Sequence, residues 1–468
     1  MMAVLRRKRY LIKTILLLAG ITLCSFYFSA SSQPGNAETD NKFSKGKRSD
    51  SIKYVPPKEN IKTLSGGQQK ASNVKFPTPH KNNNKISSIY INKTLMNLEN
   101  SKNISNNAET LKRTILEINR IQEIRNLDKF PTRPPNAPVL VVMVHKRLEY
   151  LRFLIDSFRN AKDISQTLLI FSHDFYSEEI NELIKTIDFC QTLQIFYPYL
   201  LQIYEKEFPG VDPNDCPRNV DKKKAKQLKC NNADHPDKYG HYREVQFVMT
   251  KHHWWWKLQH VFTGIRSIHN HTGPVLLLEE DHYVSPDFLP VLQQMYEIKQ
   301  SNCPECDILT IGTYDKSPRY RDRANKVDVL NWQSSKHNMG MSMDRATWQR
   351  LQPCAEEFCR FDDYNWDWTL QHISTGCLKP SIGVMVPKSP RIFHIGECGI
   401  HHKGKCNADD LVKKINGILT TNSEFLFPSS LQLTPKTRPI RSREPKANGG
   451  WGDIRDHTLC MTYGRTTL

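Results

Sequence analysis

The 468-residue chain is 38% hydrophobic and 24% charged, enough for one large α/β domain or two smaller ones. Its net charge of +18 suggests a polyanionic partner only until it is divided: residues 1–137 hold 24 Lys/Arg against 9 Asp/Glu, leaving 42 against 39 for residues 138–468. The excess belongs to the N-terminal region, which excludes a basic groove for DNA or RNA in the remainder.

Residues 1–9, with Arg6-Arg7-Lys8-Arg9, precede an apolar stretch over 10–30. The stretch approaches the roughly 17–25 residues that cross a bilayer and predicts a transmembrane signal-anchor. Basic residues before it and none directly after it place the short tail in the cytosol and the rest on the lumenal side. A cleaved secretory signal is the rival reading, since Ser29-Ala30-Ser31 offers small residues at a cut. Residues 31–108, rich in Ser, Asn, Lys and Pro, cannot bury enough apolar surface to offset chain entropy, and they predict a largely disordered lumenal stem. Asn92-Lys-Thr, Asn103-Ile-Ser and Asn270-His-Thr are acceptor triplets for glycans. Of twelve cysteines, Cys24 falls in the span and eleven face an oxidising lumen. An odd number leaves one unpaired or shared between chains, which admits a homodimer; the apolar setting "IDFCQTLQIF" selects Cys190 as the free thiol.

The folded domain spans 109–468. Leu111, Ile115, Ile118 and Ile121 predict a leading helix over 109–127, and "FPTRPPNAP" (130–138) breaks it. "VLVVMV" (139–144) predicts a buried strand, and Leu148, Leu151, Leu154, Ile155 and Phe158 the inner face of a helix. "TLLIFS" (167–172), "EEINELIKTI" (178–187) and "LQIFYPY" (193–199) continue the alternation as strand, helix and strand. Such alternation predicts a mostly parallel sheet, whose ligands sit beyond the carboxyl ends of the strands. Neither G-x-x-x-x-G-K-S/T nor G-x-G-x-x-G follows the first strand, so nucleoside triphosphatase and dinucleotide oxidoreductase readings lack support. A polar insertion over 205–240 holds Cys216 and Cys230. Residues 245–268 predict a helix containing Trp254-Trp255-Trp256; successive residues are about 100° apart, so two rings are expected to pack and one to reach outward.

"GPVLLLEEDHYVSPDF" (273–288) drives an apolar strand into Glu279, Glu280 and Asp281. Two readings stand. The acids reach solvent and a helix starts behind Ser285 as its N-cap, or a divalent cation held by carboxylate oxygens relieves their repulsion in the ligand crevice.

Six stretches weigh on that choice: "KHHWWWKLQHVF", "SIHNHTGPVLLLEEDHYVSPDF", "SSKHNMGMSM", "FDDYNWDWTLQ", "PRIFHIGECGIHHKGKC" and "NGGWGDIRDHTLC". Together they give residues 138–468 a resemblance to the N-acetylglucosaminyltransferase II family. The resemblance implies a GT-A type α/β fold, UDP-GlcNAc as donor, Mn²⁺ as cofactor, an N-glycan acceptor and inversion at the anomeric carbon. It also implies a single-pass type II Golgi membrane protein. It reads Glu279-Glu280-Asp281 as a D-x-D-like motif, with Asp281 and His394 as metal ligands; alone, His394 reads as a core histidine. It assigns Met143, Val144, His145, Lys146, Arg147, Asp174, Met249, Thr250, Lys251, His252 and His253 to the nucleotide; Arg218, Glu279, Tyr314, Asn338 and Trp366 are loose candidates for the acceptor, not given by the resemblance. Asp367, between two tryptophans, matches the base that removes a proton from the acceptor hydroxyl; Asp362 and Asp363 are its rivals. Cys303-Pro-Glu-Cys306 by itself also reads as a redox pair or half a zinc site. The resemblance implies disulfides Cys216–Cys230, Cys303–Cys306, Cys354–Cys377, Cys359–Cys460 and Cys398–Cys406. Outside this class, a catalytically silent glycan-binding protein is the alternative.

Overall fold

A computed structural model describes residues 107–315, 317–396, 407–435 and 446–464. The predicted tail, anchor and nearly all of the stem lie outside the described residues, as do Cys398 and Cys406. No helix among the described residues is long and apolar enough to cross a membrane.

Helix α1 (Ala108–Ile121) buries Leu111 and Ile115 and is capped by Asn107, whose side chain accepts from the amides of Glu109 and Thr110. It stops six residues short of the predicted end. Gln122 takes a left-handed conformation (φ 53°), and its amide group bonds the Gly264 carbonyl and the Arg266 amide instead. Then follow β1 (Val139–Val144), α2 (Leu148–Arg159), β2 (Leu168–His173), α3 (Glu178–Lys185) and β3 (Gln191–Phe196). These are the predicted alternating elements; β1 matches its predicted ends, and the ends of the others shift by up to three residues. The polar insertion carries only a short helix, α4 (Lys222–Leu228).

Helix α5 (Val245–Gln259) continues into a π-helical turn over His260–Gly264 and ends short of the predicted 268. Strand β4 (Val275–Glu279) is followed after a tight turn by β5 (His282–Val284), then α6 (Phe288–Asn302). Ser285 therefore ends an added strand and does not cap α6. Its hydroxyl donates to Asp287, the residue at the cap position, whose carboxylate is taken by Arg391. The chain proceeds through β6 (Cys306–Thr310), β7 (Lys326–Asn331), β8 (Met341–Met343), α7 (Arg345–Leu351), α8 (Ala355–Arg360) and α9 (Trp366–Gly376). Strands β9 (Gly383–Pro387) and β10 (Ile392–His394), α10 (Ala408–Thr421), β11 (Gln432–Leu433) and α11 (Ile454–Thr462) complete it.

Nine strands form one sheet in the order β11-β7-β9-β6-β8-β4-β1-β2-β3, and β5 pairs with β10 separately. The run β4-β1-β2-β3 is parallel, while β8 lies antiparallel between β4 and β6. Alternate residues of β1 feed the two faces: Val139 and Val141 join the core under α5, Leu140, Val142 and Val144 the core under α2 and α6. Burial on both faces explains why the strands read as continuous apolar runs.

All three tryptophans of α5 are buried in one core, contrary to the expectation that one would reach outward. From Lys251 to Gln259 every residue of the helix is buried. Trp254 stacks on Trp366 across to α9, Trp255 on Phe358 of α8, and Trp256 on His260. Four expected disulfides are present, Cys216–Cys230, Cys303–Cys306, Cys354–Cys377 and Cys359–Cys460, and Cys190 is free and buried. The bridge Cys359–Cys460 staples α11 to α8.

Candidate active site

Glu279 and Asp281 converge on the cleft, and Glu280 does not. Glu280 turns back to β1: its carboxylate accepts the amides of His145 at 2.7 Å and Arg147 at 3.3 Å. Burial pushes its carboxyl up to about 7, against the pull of the His145 amide. It thereby fixes the β1–α2 turn. Asp281 faces an ion pair with Arg147, and its Oδ2 lies 3.4 Å from His394 Nε2. Burial alone would raise its carboxyl; His394, His282 and Arg147 override that and hold it below the usual range. Glu279 remains at the cleft, raised to about 7 by burial and by the neighbouring Asp281.

The arrangement fits a divalent cation. Glu279, Asp281 and His282 each offer a ligand atom, all within 4.8 Å of one another. Asp281 Oδ1 is buried without a hydrogen-bond partner, a position a buried oxygen rarely occupies unless something pairs with it. Burial lowers His282 to about 4, so its imidazole is neutral, as a metal ligand must be. His394 Nε2 reaches Asp281 from the paired strand β10, which aligns it with His282. Mixed imidazole and carboxylate donors suit Mn²⁺ better than Mg²⁺. Gly396 makes room for the carboxylate: a Cβ there would stand 2.1 Å from Asp281 Oδ2.

Across a cleft of about 430 Å³ stands the opposite wall, made of Tyr364, Asn365, Trp366, Asp367 and Trp368 with Phe247 and Thr250 of α5. Asp367 opens α9; its carboxylate accepts from Asn338 and from the Trp368 amide, both at 2.9 Å. Tyr314 donates to Asn338 at 3.0 Å, forming a chain Tyr314–Asn338–Asp367. Burial raises Asp367 to about 6, with those donors opposing. Its rivals are committed elsewhere. Asp363 accepts from the amides of Asn365 and Asn448, and Asp362 from those of Lys238 and Trp451. Of the three aspartates, only Asp367 lines the cleft.

The ends of β1 and β2, helix α5 and the insertion hold the remaining expected residues. His145 Nδ1 lies 2.6 Å from Asp174, whose other oxygen is 3.6 Å from His253 Nδ1, and His253 Nε2 meets Ser172 at 2.9 Å. Burial opposes the charge on Asp174, yet the two histidines hold it well below the usual carboxylate range. Lys146 lies over the Phe175 ring. Val144 and Met249 are packed in the core, and Met143 lies beside Lys257. Within 249–253, Thr250 lines the cleft, whereas Lys251 donates to the carbonyls of Phe361 and Asp363 and His252 pairs with Asp456 and Tyr463. Arg218 pairs with Glu244 in the insertion and does not line this cleft, while Glu279, Tyr314, Asn338 and Trp366 do.

Sequence reasoning passed over His282, Gly396 and Lys257. His282 directly follows the acids, and its position next to a ligand was a usable signal. Gly396 and Lys257 gave none, because their contacts lie 115 and 114 residues away.

The sequence model of the family N-acetylglucosaminyltransferase II (MGAT2) matches residues 112–460. An alpha-1,6-mannosyl-glycoprotein 2-beta-N-acetylglucosaminyltransferase from Sus scrofa is 49% identical over 351 residues, 75% of this chain and 78% of that protein. One of the same name from Arabidopsis thaliana is 35% identical over 72% of this chain and 77% of its own length. The solved structure of S. aureus TarS 1–349 overlaps 61% of this chain and 65% of its own, with a TM-score of 0.29 and 8% identity, too distant to bear on the site. The chain belongs to the N-acetylglucosaminyltransferase II family.

Proposed function

We propose that this chain is an inverting glycosyltransferase of GT-A type that moves GlcNAc from UDP-GlcNAc to O2 of the α-1,6-arm mannose of an N-glycan core. The observation that carries the reading is the pairing of two walls in one cleft: Asp281, His394 and His282 on one side, Asp367 on the other. Asp281 and His394, with Glu279 and His282 beside them, would hold Mn²⁺, which when bound offsets the charge of the departing UDP. Arg147 presents a guanidinium to the same region, a second cation available to a diphosphate. Asp367 takes the proton from the acceptor hydroxyl, and its raised pKa of about 6 makes it a stronger base than a solvated carboxylate. Trp366 and Trp368 flank it and offer apolar faces to a sugar ring. A single displacement by the acceptor oxygen turns an α-linked donor into a β-1,2 product.

The basic tail and apolar span of residues 1–30 support anchorage as a type II protein of the Golgi membrane, with this cleft in the lumen. Bridged cysteines fit that oxidising side. The test is incubation with UDP-GlcNAc and defined N-glycans, with Mn²⁺ or with chelator, and NMR of the product. Metal-dependent β-1,2-GlcNAc on the α-1,6 arm is expected. Transfer to the α-1,3 arm reassigns the acceptor, and UDP-GlcNAc hydrolysis without transfer rejects the reading.

A further inference from the structure

Helix α5 presents two faces to the cleft's two walls. On one, His253 meets Ser172 and Asp174 and Lys257 meets Met143, all at the donor-side strand ends. On the other, Phe247, Lys251 and Trp254 fall four and three residues apart, the spacing of neighbours on one helix face. All three meet the segment that leads into α9. The Phe247 ring lies 4.9 Å from Tyr364. Lys251 Nζ donates to the carbonyls of Phe361 at 3.0 Å and Asp363 at 2.9 Å. Trp254 stacks on Trp366 with centroids 4.4 Å apart.

Lys251 is the polar member of that stripe and is fully buried. Its stem crosses an aromatic layer, and its ammonium lies 4.2 Å from the Trp451 ring. A buried ammonium is costly without such partners, and here they are backbone atoms of the turn that sets the first residue of α9. That turn is otherwise fixed by Asp363, through the Asn365 and Asn448 amides.

We propose that Lys251 is a positioning residue for proton transfer: by holding the 361–365 turn it sets Asp367 at a fixed distance from the donor site on the opposite face of α5. This rests on the transferase reading above. It departs from direct nucleotide contact, because the ammonium points to the acceptor wall. The two roles separate kinetically. A nucleotide contact supports UDP affinity, whereas a positioning residue supports kcat and acts only while Asp367 is there to be positioned. Misplacement of a reacting group by about 1 Å lowers turnover on the order of 10²-fold.

The test uses the full-length chain with Lys251→Met, Lys251→Arg, Asp367→Asn and the two double variants, measuring UDP affinity with Mn²⁺ by calorimetry and kcat with UDP-GlcNAc and N-glycan. Lys251→Met is expected to lower kcat by about 10²-fold while UDP affinity stays within about threefold, and Lys251→Arg to recover most of the loss. In the Asp367→Asn background the same substitution should change kcat by less than about threefold, because coupled residues are not additive. A loss of UDP affinity of about tenfold or more, an unchanged kcat, or an equal kcat loss in the Asp367→Asn background overturns the proposal. If Lys251→Met does not fold, Lys251→Gln, which keeps a donor on a shorter stem, takes its place in both backgrounds with the same two expectations. Failure of the unmodified chain to transfer GlcNAc rejects the transferase reading itself, a result distinct from any of these.

Discussion

The two walls of the cleft are built by different means. The metal-side wall is set by strand pairing: β1, β4 and the β5–β10 pair bring Arg147, Glu279, Asp281, His282 and His394 together from three short stretches. The acceptor-side wall is assembled from distant pieces. Residues 361–368 are held by Lys251 from α5, by Asn338 from the β7–β8 connection, and by the 448–451 turn, whose amides satisfy Asp362, Asp363 and Asp237. Gly449 and Gly450 sit at φ +79° and +77°, a region that favours glycine, and a Cβ on Gly449 would meet Asp237 at 2.5 Å. The Cys359–Cys460 bridge closes the same region. Strand pairing brings the proposed ligands together from a few short segments, whereas the turn before the proposed base is tied by hydrogen bonds to Asp362, Asp363 and Lys251.

The comparison breaks first at Asp367. Asp367→Asn should lower kcat by about 10²–10⁴-fold while UDP affinity with Mn²⁺ is kept, read from steady-state kinetics and calorimetry. Near-normal turnover transfers the role to another group. On the other wall, Gly396→Ala places a methyl against Asp281. Metal affinity, measured by Mn²⁺ dependence of UDP binding, should fall by about 10–100-fold with the base untouched. Removing the staple with Cys359→Ser and Cys460→Ser should cost roughly 2–4 kcal/mol in denaturant unfolding; no change in midpoint would show that the acceptor wall holds without it. The pH dependence is the mildest probe. As the proposed base Asp367 acts as a carboxylate, and burial pushes its pKa up to about 6, so its contribution to kcat should fall about tenfold per unit below that value. That acid limb should vanish in Asp367→Asn.

What could be read in advance follows the same division. Runs such as "VLVVMV" and the inner face of α2 were legible because periodicity reports burial directly. Asp281 was legible as an acid at a strand end, and His394 only through likeness to a family. The tryptophan run was misread because periodicity assumes one exposed face, and α5 has none from Lys251 to Gln259. Ser285 was misread as a cap because the added strand β5, which pairs with residues more than a hundred positions on, left no local sign. The hydrogen bonds saturating Asp362 and Asp363 likewise reach donors 85 or more residues away in Asn448, Trp451 and Lys238. Long-range polar contacts carry no periodicity, so the site's supports were hidden while its strands were plain.

Asp281 is the proposed anchor of a cation for the sugar nucleotide. Calorimetric titration of UDP into the chain and into Asp281→Asn, each with Mn²⁺ and with chelator, tests it most directly. Binding that strengthens with Mn²⁺ in the unmodified chain and loses that dependence in Asp281→Asn is the predicted result. Equal affinity with and without the metal, or an undiminished response in the variant, would contradict it.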